Sequence, residues 1–232
     1  GTRCDYAPMA NHTLLAEALR RTDPQGRDIA RIVREDLFEP LGMADTAFGI
    51  KPHLRERHVV PDMRGVVPIS SRSHENNEPN GLYTASHNES AWVGAASTTG
   101  DLFRFMEMLR RGGTFGEARI LSPRTVRLAR QNWTGDMANE LYRAVALRAG
   151  YEVPPAYLGL GFNIRGPRIV NTQLGTLTSP ETYGNYGAGS VLEWVDPELD
   201  ITFVALTAGL LDQASNIERF RQLSDLVVAA AL

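Results

Sequence analysis

The spacing of apolar and polar residues predicts helices in the first part of the chain. Apolar residues recur at helical spacing from Thr13 to Arg21 and from Asp28 to Phe38. Pro24 and Gly26 interrupt the pattern, so we expect two separate helices. A long segment with little periodicity, residues 51–91, follows them. A segment of this length without regular structure is often functional, and we expect it to form the rim of a binding cleft.

Capping signals predict two further helices in the middle of the chain. Thr98, followed three residues later by Asp101, is typical of a helix N-terminus, and this helix is expected to end at Gly112 and Gly113. Ser122 followed by a proline indicates the start of the second helix. These patterns extend the helical part of the chain well beyond the long segment.

After about residue 155 the pattern changes to short apolar or alternating runs that predict strands. The predicted strands are Tyr157–Ile164, Thr182–Tyr186, Ser190–Val195 and Ile201–Thr207. Asp196–Asp200 separates the last two and predicts a hairpin turn. A final helix over residues 213–231 is expected to pack on one antiparallel sheet formed by these strands.

Helices followed by an antiparallel sheet and a closing helix predict an α+β fold rather than alternating βαβ units. By this reading residues 1–154 form a mostly helical lobe that carries the 51–91 cleft rim. Residues 155–232 form the antiparallel sheet with its C-terminal helix.

Composition excludes several classes of partner and cofactor. A net charge of −3 and a pI near 6.0 provide no basic face for a nucleic acid. No apolar run approaches the roughly 18 residues of a membrane span. The single cysteine, Cys4, cannot form an intramolecular disulfide, and the five histidines lack ligand spacing, so we expect no metal and no cofactor. The compartment, cytoplasmic or exported, stays open.

Four segments then carry a family resemblance. Leu37–Phe48 reads L-F-E-P-L-G-M-A-D-T-A-F, Ser97–Gly113 begins S-T-T-G-D-L-F, Arg119–Pro123 reads R-I-L-S-P, and Tyr183–Pro197 begins Y-G-N-Y-G-A-G-S. In this order they resemble the serine β-lactamase-like family, which includes class C β-lactamases, family VIII carboxylesterases and D,D-peptidases. The resemblance covers essentially the whole chain. It implies a β-lactamase/transpeptidase-like fold and a small ester, amide or lactam as the substrate.

The resemblance also implies where the catalytic groups belong. The family combines a Ser-x-x-Lys nucleophile, a tyrosine that helps to move the proton, and a third motif on a strand. A serine hydroxyl needs an adjacent base, and the oxyanion of the tetrahedral intermediate needs preorganised N–H donors. Tyr6 falls at the position of the motif tyrosine. Pro8 stands where the family has asparagine, and Asn11 could substitute for it at a different spacing.

The third motif aligns with Asn185, Tyr186 and Gly187, which are expected to bind substrate, and the N–H of Ala188 would be an oxyanion donor. Relatives carry a lysine, histidine or tryptophan where this chain has Asn185. Asparagine donates hydrogen bonds but carries no charge. A neutral ester or amide substrate is therefore favoured over a β-lactam, whose carboxylate needs a cation.

The family's nucleophile motif does not occur in this sequence. Lys51 is the one lysine, and Phe48 stands three residues before it, so there is no Ser-x-x-Lys. One hypothesis is that an upstream segment or a second chain supplies the nucleophile to a serine hydrolase, with this chain alone inactive. The alternatives are an inert family member that only binds a ligand or partner, and a structural module.

Overall fold

The computed structural model describes residues 1–59, 62, 85–187, 191–209 and 211–231. Helices combine with small antiparallel sheets, which confirms the α+β prediction. Of the described residues, 1–6, 62 and those from 106 onward form one compact unit, and 7–59 with 85–105 form a second. The chain therefore divides at different points from the predicted lobes, because the N-terminal residues join the sheet-containing unit.

The helices agree with the predicted order. They are α1 (Pro8–Thr22), α2 (Ile29–Val33), α3 (Thr99–Arg110), α4 (Pro123–Ala129), α5 (Glu140–Arg148) and α6 (Gln213–Ala231). A π-helical turn, Arg34–Phe38, continues α2, so the second predicted helix is present with a wider final turn. The sequence analysis did not predict α5, although Asn139 followed by Glu140 is a typical helix start.

The strands form three sheets in the described part of the chain. They are β1 (Ala47–Phe48), β2 (Ala95–Ala96), β3 (Thr114–Phe115), β4 (Ala118–Arg119), β5 (Asn163–Ile164), β6 (Tyr183–Gly187), β7 (Val191–Asp196) and β8 (Ile201–Leu206). The pairs β1–β2 and β3–β4 are two-stranded, and β5-β6-β7-β8 is an antiparallel four-stranded sheet. This four-stranded sheet positions the third motif.

The predicted hairpin between the last two strands is confirmed. β7 and β8 pair from Val191 opposite Leu206 to Asp196 opposite Ile201. The buried Asp196 carboxylate stabilises the turn by accepting the backbone N–H groups of Glu198 and Leu199. It also accepts hydrogen bonds from the Ser179 and Thr182 side chains, so one residue joins the turn to the segment before β6.

α6 packs on one face of the four-stranded sheet, as predicted. Its Phe220 and Val228 form a buried cluster with Leu192 and Trp194 of β7. Ser224 is also buried there. Its burial is tolerated because its hydroxyl accepts a hydrogen bond from the Trp194 indole N–H. The buried face of α6 therefore includes a polar residue that the spacing of apolar residues does not predict.

The predicted strand Tyr157–Ile164 is wrong over most of its length. Only Asn163 and Ile164 form β5. The residues before them turn back on themselves, because Gly159 N–H donates to the Phe162 carbonyl and Gly161 has a positive φ of 88°. A Cβ on Gly159 would lie 2.0 Å from the Ala129 carbonyl oxygen, so this position accepts only glycine.

Helix caps are placed as the sequence predicts. The Thr98 hydroxyl accepts the backbone N–H of Asp101 at the start of α3. The Ser122 hydroxyl accepts the Thr125 N–H, and proline occupies the first position of α4. Each cap satisfies a backbone donor that the first helical turn leaves without a partner.

The predicted 51–91 loop is not entirely irregular, since a 3₁₀ helix spans Pro52–Arg57. The Lys51 ammonium donates to the Ser86 carbonyl. Most of the remaining segment lies outside the described residues, and its role as a cleft rim stays a prediction. Among the helices that are described, none has the length and apolar character needed to cross a bilayer.

Candidate active site

The third-motif strand β6 lies between β7 and the short strand β5. All five of its residues pair with β7, whereas β5 pairs only with Tyr183 and Gly184. Side chains alternate between the two faces of a strand, so Asn185 and Gly187 project from one face and Tyr186 from the face that packs on α6. The predicted oxyanion donor, Ala188, lies outside the described residues.

Gly184 allows β6 and β7 to approach closely. It pairs with Trp194, and a Cβ at position 184 would lie 2.5 Å from the Trp194 Cα and 2.1 Å from the Glu193 carbonyl oxygen. Those distances are far below van der Waals contact. The glycine therefore has a packing role one residue before the candidate substrate-binding residues.

The Asn185 amide is engaged within the protein on both of its polar atoms. Its nitrogen donates to the Gly161 carbonyl at 2.7 Å, and its oxygen accepts from the Asn163 amide at 2.9 Å. These bonds tie β6 to β5 and to the turn that precedes β5. A substrate contact by this side chain would have to replace or share them, and such a contact stays a prediction.

Tyr186 belongs to an aromatic cluster on the α6 side of the sheet. Its ring stacks on Tyr142 of α5 with the centroids 6.4 Å apart, and it lies 6.1 Å from the Phe220 ring. The buried Tyr142 hydroxyl donates to the Gln173 side-chain oxygen at 2.9 Å. Burial, followed by the neighbouring Tyr186 phenol, holds the pKa of Tyr142 well above its usual value.

Tyr6 is placed beside this cluster by the N-terminal segment. Cys4 forms a parallel bridge with Asn139, and its carbonyl accepts the backbone N–H of Glu140 at the start of α5. Partial burial raises the pKa of Tyr6, and the charge interaction with Tyr186 raises it further. The backbone pairing therefore ties the segment of Tyr6 to α5, whose Tyr142 stacks on Tyr186, while the Tyr6 side chain itself is 63% exposed. A catalytic role for Tyr6 stays a prediction. The phenol is neutral at pH 7 in this setting.

Asn11 lies in α1 of the other unit. Its side chain is exposed, and its backbone N–H donates to the Ala7 carbonyl. A pocket of about 360 Å³ in the same unit is lined by residues 87–92 with Thr13 and Ala16. Asn11 does not line it. A substrate contact by Asn11 stays a prediction.

Arg219 of α6 is a candidate that the sequence analysis missed. Its guanidinium lies 5.1 Å from the Phe220 ring centroid and donates to the Asn216 side chain and, more weakly, to the Gly209 carbonyl. Its Nε is buried without a partner, and no carboxylate within the described ranges pairs with it. Desolvation lowers the pKa of Arg219. A desolvated arginine without a carboxylate is suited to bind an anionic group.

Helical spacing could have identified Arg219. Its neighbour Arg221 has Glu218 three residues before it and Asp225 four residues after it, and it pairs with both. No acidic residue stands three or four positions from Arg219 in either direction. The pattern thus indicates which arginine has no ion pair within the helix, although it cannot exclude a partner elsewhere.

Metal chemistry receives no support from the arrangement of side chains. Within the part of the chain that is described, no three histidine, cysteine, aspartate or glutamate side chains are grouped to hold an ion. Among the described residues, the polar groups discussed above include the phenols of Tyr142 and Tyr186, the Asn185 amide and the Arg219 guanidinium.

Comparison with known proteins identifies the family. The family profile described as Beta-lactamase matches residues 1–227, so the chain belongs to the β-lactamase family. A protein named "Putative D-alanyl-D-alanine carboxypeptidase" from Escherichia coli K12 is 25% identical over 196 residues, and one from Salmonella enteritidis is 24% identical over 187. These alignments cover 78% and 76% of the chain but only 40% and 39% of those proteins.

Solved structures agree with the family assignment. A β-lactamase from Mycobacterium bovis is similar with a TM-score of 0.66 at 25% identity, over 99% of this chain and 65% of that one. A penicillin-binding protein homologue from Caulobacter crescentus is similar with a TM-score of 0.66 at 19% identity, over 100% of this chain and 60% of that one. EstCE1, described as a hydrolase with promiscuous acyltransferase activity, is similar with a TM-score of 0.65 at 20% identity, over 96% of this chain and 55% of that one. The β-lactamase/penicillin-binding-protein fold predicted from the sequence is confirmed.

Proposed function

We propose that the complete protein is a serine hydrolase that cleaves a small acyl substrate through an acyl-enzyme, with esters preferred. The single observation that carries this proposal is the pairing of the N-terminal segment that contains Tyr6 with the start of α5, whose Tyr142 stacks on Tyr186 of the third motif. A tyrosine near the third-motif strand is the arrangement that acyl transfer in this family requires. The nucleophilic serine would come from a segment outside this sequence.

The preference for esters rests on charge. Asn185 is neutral, and its amide already binds Gly161 and Asn163. It offers no cation for the carboxylate of a β-lactam. A neutral acyl group needs only the oxyanion donors and a pocket of the right shape.

The test compares the 232-residue chain with a longer product that contains Ser-x-x-Lys. The longer product should hydrolyse short p-nitrophenyl esters better than a cephalosporin, and the short chain should hydrolyse neither. Loss of the nucleophile removes several orders of magnitude in rate. If a fluorophosphonate labels the 232-residue chain, the nucleophilic serine lies within this chain, and the proposal that it lies outside is overturned. Efficient cephalosporin turnover would overturn the ester preference.

Arg219 favours a second candidate, a carboxypeptidase that acts on substrates with a free carboxylate. The relatives named as D-alanyl-D-alanine carboxypeptidases motivate the same candidate. The guanidinium has no carboxylate partner among the residues described, and it lies on the aromatic cluster that contains Tyr186. A substrate carboxylate there would form a charge-assisted hydrogen bond, which is worth more than a neutral one.

Two variants on one helix separate the candidates. Arg219→Gln should lower kcat/KM for a peptide with a free C-terminal carboxylate by about 10-fold or more, since a charged hydrogen bond contributes roughly 1.5–3 kcal/mol. The amide of the same peptide should be affected much less. Arg221→Gln is the matched control, because that arginine is paired with Glu218 and Asp225. Equal losses on both substrates would reject the carboxypeptidase candidate.

A further inference from the structure

Glu193 is a carboxyl group in the middle of the four-stranded sheet, beside the third motif. On β7 it lies directly opposite Asn185 of β6 on one side and Val204 of β8 on the other. Directly opposed residues of antiparallel strands project from the same face. Its chain neighbours Leu192 and Trp194 face the α6 core, so Glu193 projects from the opposite face, together with Asn185.

One oxygen of the Glu193 carboxyl group has no hydrogen-bond partner in the described part of the protein. Its Oε2 is closed off from solvent and accepts no hydrogen bond, although the residue as a whole is partly exposed. The Asn185 amide, directly opposite on β6, hydrogen-bonds Gly161 and Asn163. Burial alone raises the pKa of Glu193 to about 8.

The charged residues of α3 that contact β8 through Thr202 are paired with one another. Thr202, two residues before Val204 on β8, donates to Glu107 of α3. Glu107 in turn binds Arg110 and Arg111, which holds its pKa at about 2. These arginines therefore do not serve as counter-ions for Glu193.

A buried carboxyl without a partner is costly, and proteins pair nearly all such groups. An apolar residue at position 193 would continue the valines at 191, 195 and 204 without that cost. Unpartnered ionisable groups of this kind occur preferentially at functional sites. The arrangement points to a partner that comes from a ligand.

We propose that Glu193 binds a positively charged ammonium group of the substrate, so that the preferred acyl substrate carries a primary amine. The proposal rests on the proposed function and names its substrate class. An ammonium group supplies a charge and three hydrogen-bond donors to a carboxylate whose buried Oε2 accepts no hydrogen bond within the described residues. A divalent metal ion is not the expected occupant, because it takes several oxygen ligands and the neighbours of Glu193 are Asn185 and valines.

A binding experiment on the 232-residue chain tests the proposal without catalysis. The titration of Glu193 is followed by NMR of ¹³C-labelled glutamate, assigned with Glu193→Gln, with and without n-propylammonium. Bound ammonium favours the ionised carboxylate, so the Glu193 pKa should fall by at least about one unit. That shift equals a tenfold preference of the probe for the ionised form. n-Propanol should leave the titration unchanged.

Two variants complete the binding test. Glu193→Gln should weaken n-propylammonium binding about tenfold or more, and Glu198→Gln, an exposed glutamate in the β7–β8 turn, should not. An unchanged Glu193 titration at saturating probe would overturn the proposal. So would equal binding by the Glu193→Gln variant.

A second arm uses the longer, nucleophile-containing product and two p-nitrophenyl esters of equal chain length, one ending in an ammonium group and one in a methyl group. Glu193→Gln should reduce kcat/KM for the ammonium ester at least about tenfold more than for the neutral ester. Equal reductions would overturn the proposal. If neither ester is cleaved, the proposed function fails, and the NMR titration alone decides the role of Glu193.

Discussion

The unpartnered carboxyl of Glu193 should make the stability of the chain depend on pH in an unusual direction. Most carboxylates in folded proteins are stabilised in their ionised form, so stability falls on acidification. Glu193 has the opposite tendency, because burial raises its pKa from 4.5 to about 8. The folded state therefore holds a proton that the unfolded chain has already released near neutral pH.

The sign and the window follow from these two pKa values. Below about pH 4.5 the carboxyl is protonated in both states and carries no penalty. As the pH rises toward 8, the unfolded state is favoured by about 1.4 kcal/mol per pH unit. Between pH 5 and pH 8 this gives about 3.5 kcal/mol without screening. Because the residue is partly exposed, we expect about 2 kcal/mol.

Urea denaturation followed by circular dichroism measures this effect. The free energy of unfolding of the chain is compared with that of Glu193→Gln at pH 5, 6, 7 and 8. The difference in free energy of unfolding between the two proteins removes the contribution of the other titrating groups. The change of this difference with pH is the quantity that tests the prediction. The variant should gain about 2 kcal/mol relative to the parent across this range. If the free energies of unfolding of the two proteins change with pH in parallel, the reasoning is refuted. If the variant loses stability relative to the parent as the pH rises, the folded state lowers the pKa of Glu193 rather than raising it.

Three substitutions test the packing that positions the site. Asp196→Ala should destabilise the chain by about 3 kcal/mol or more in urea denaturation, because it leaves the buried donors of Thr182 and its neighbours without an acceptor; a loss below 1 kcal/mol would contradict this. Gly184→Ala should cost at least about 2 kcal/mol through overlap with Trp194. Gly100→Ala is its control, since a Cβ there meets nothing nearer than 3.9 Å and should stabilise α3. Ser122→Ala should cost about 1 kcal/mol by removing the α4 cap, and an unchanged midpoint would argue against that cap.

The sequence by itself determined the elements whose signals are local. The 213–231 helix has its predicted bounds, and the β7–β8 hairpin follows from two apolar runs around Asp196–Asp200. The caps at Thr98 and Ser122 are also where the sequence places them. A cap or a hairpin involves residues a few positions apart, so the information needed to predict it lies within one short segment.

Tertiary structure decided the features that depend on distant residues. The run from Tyr157 has the composition of a strand, but Gly159 must pass against the Ala129 carbonyl, and the chain turns there instead. Substrate binding by Asn185 stays a prediction, and the fold adds that its amide hydrogen-bonds Gly161 and Asn163. No local pattern reports such a contact.

The same reason explains the two charged residues that sequence analysis passed over. Glu193 stands in an apolar run, and nothing in that run shows that its carboxyl lies opposite Asn185 without a partner. Helical spacing distinguishes Arg219 from the paired Arg221, but only the fold shows that the Arg219 Nε is buried and that no carboxylate among the described residues pairs with it. Burial and the absence of a counter-ion are properties of the packed chain, because they depend on every element that surrounds a side chain.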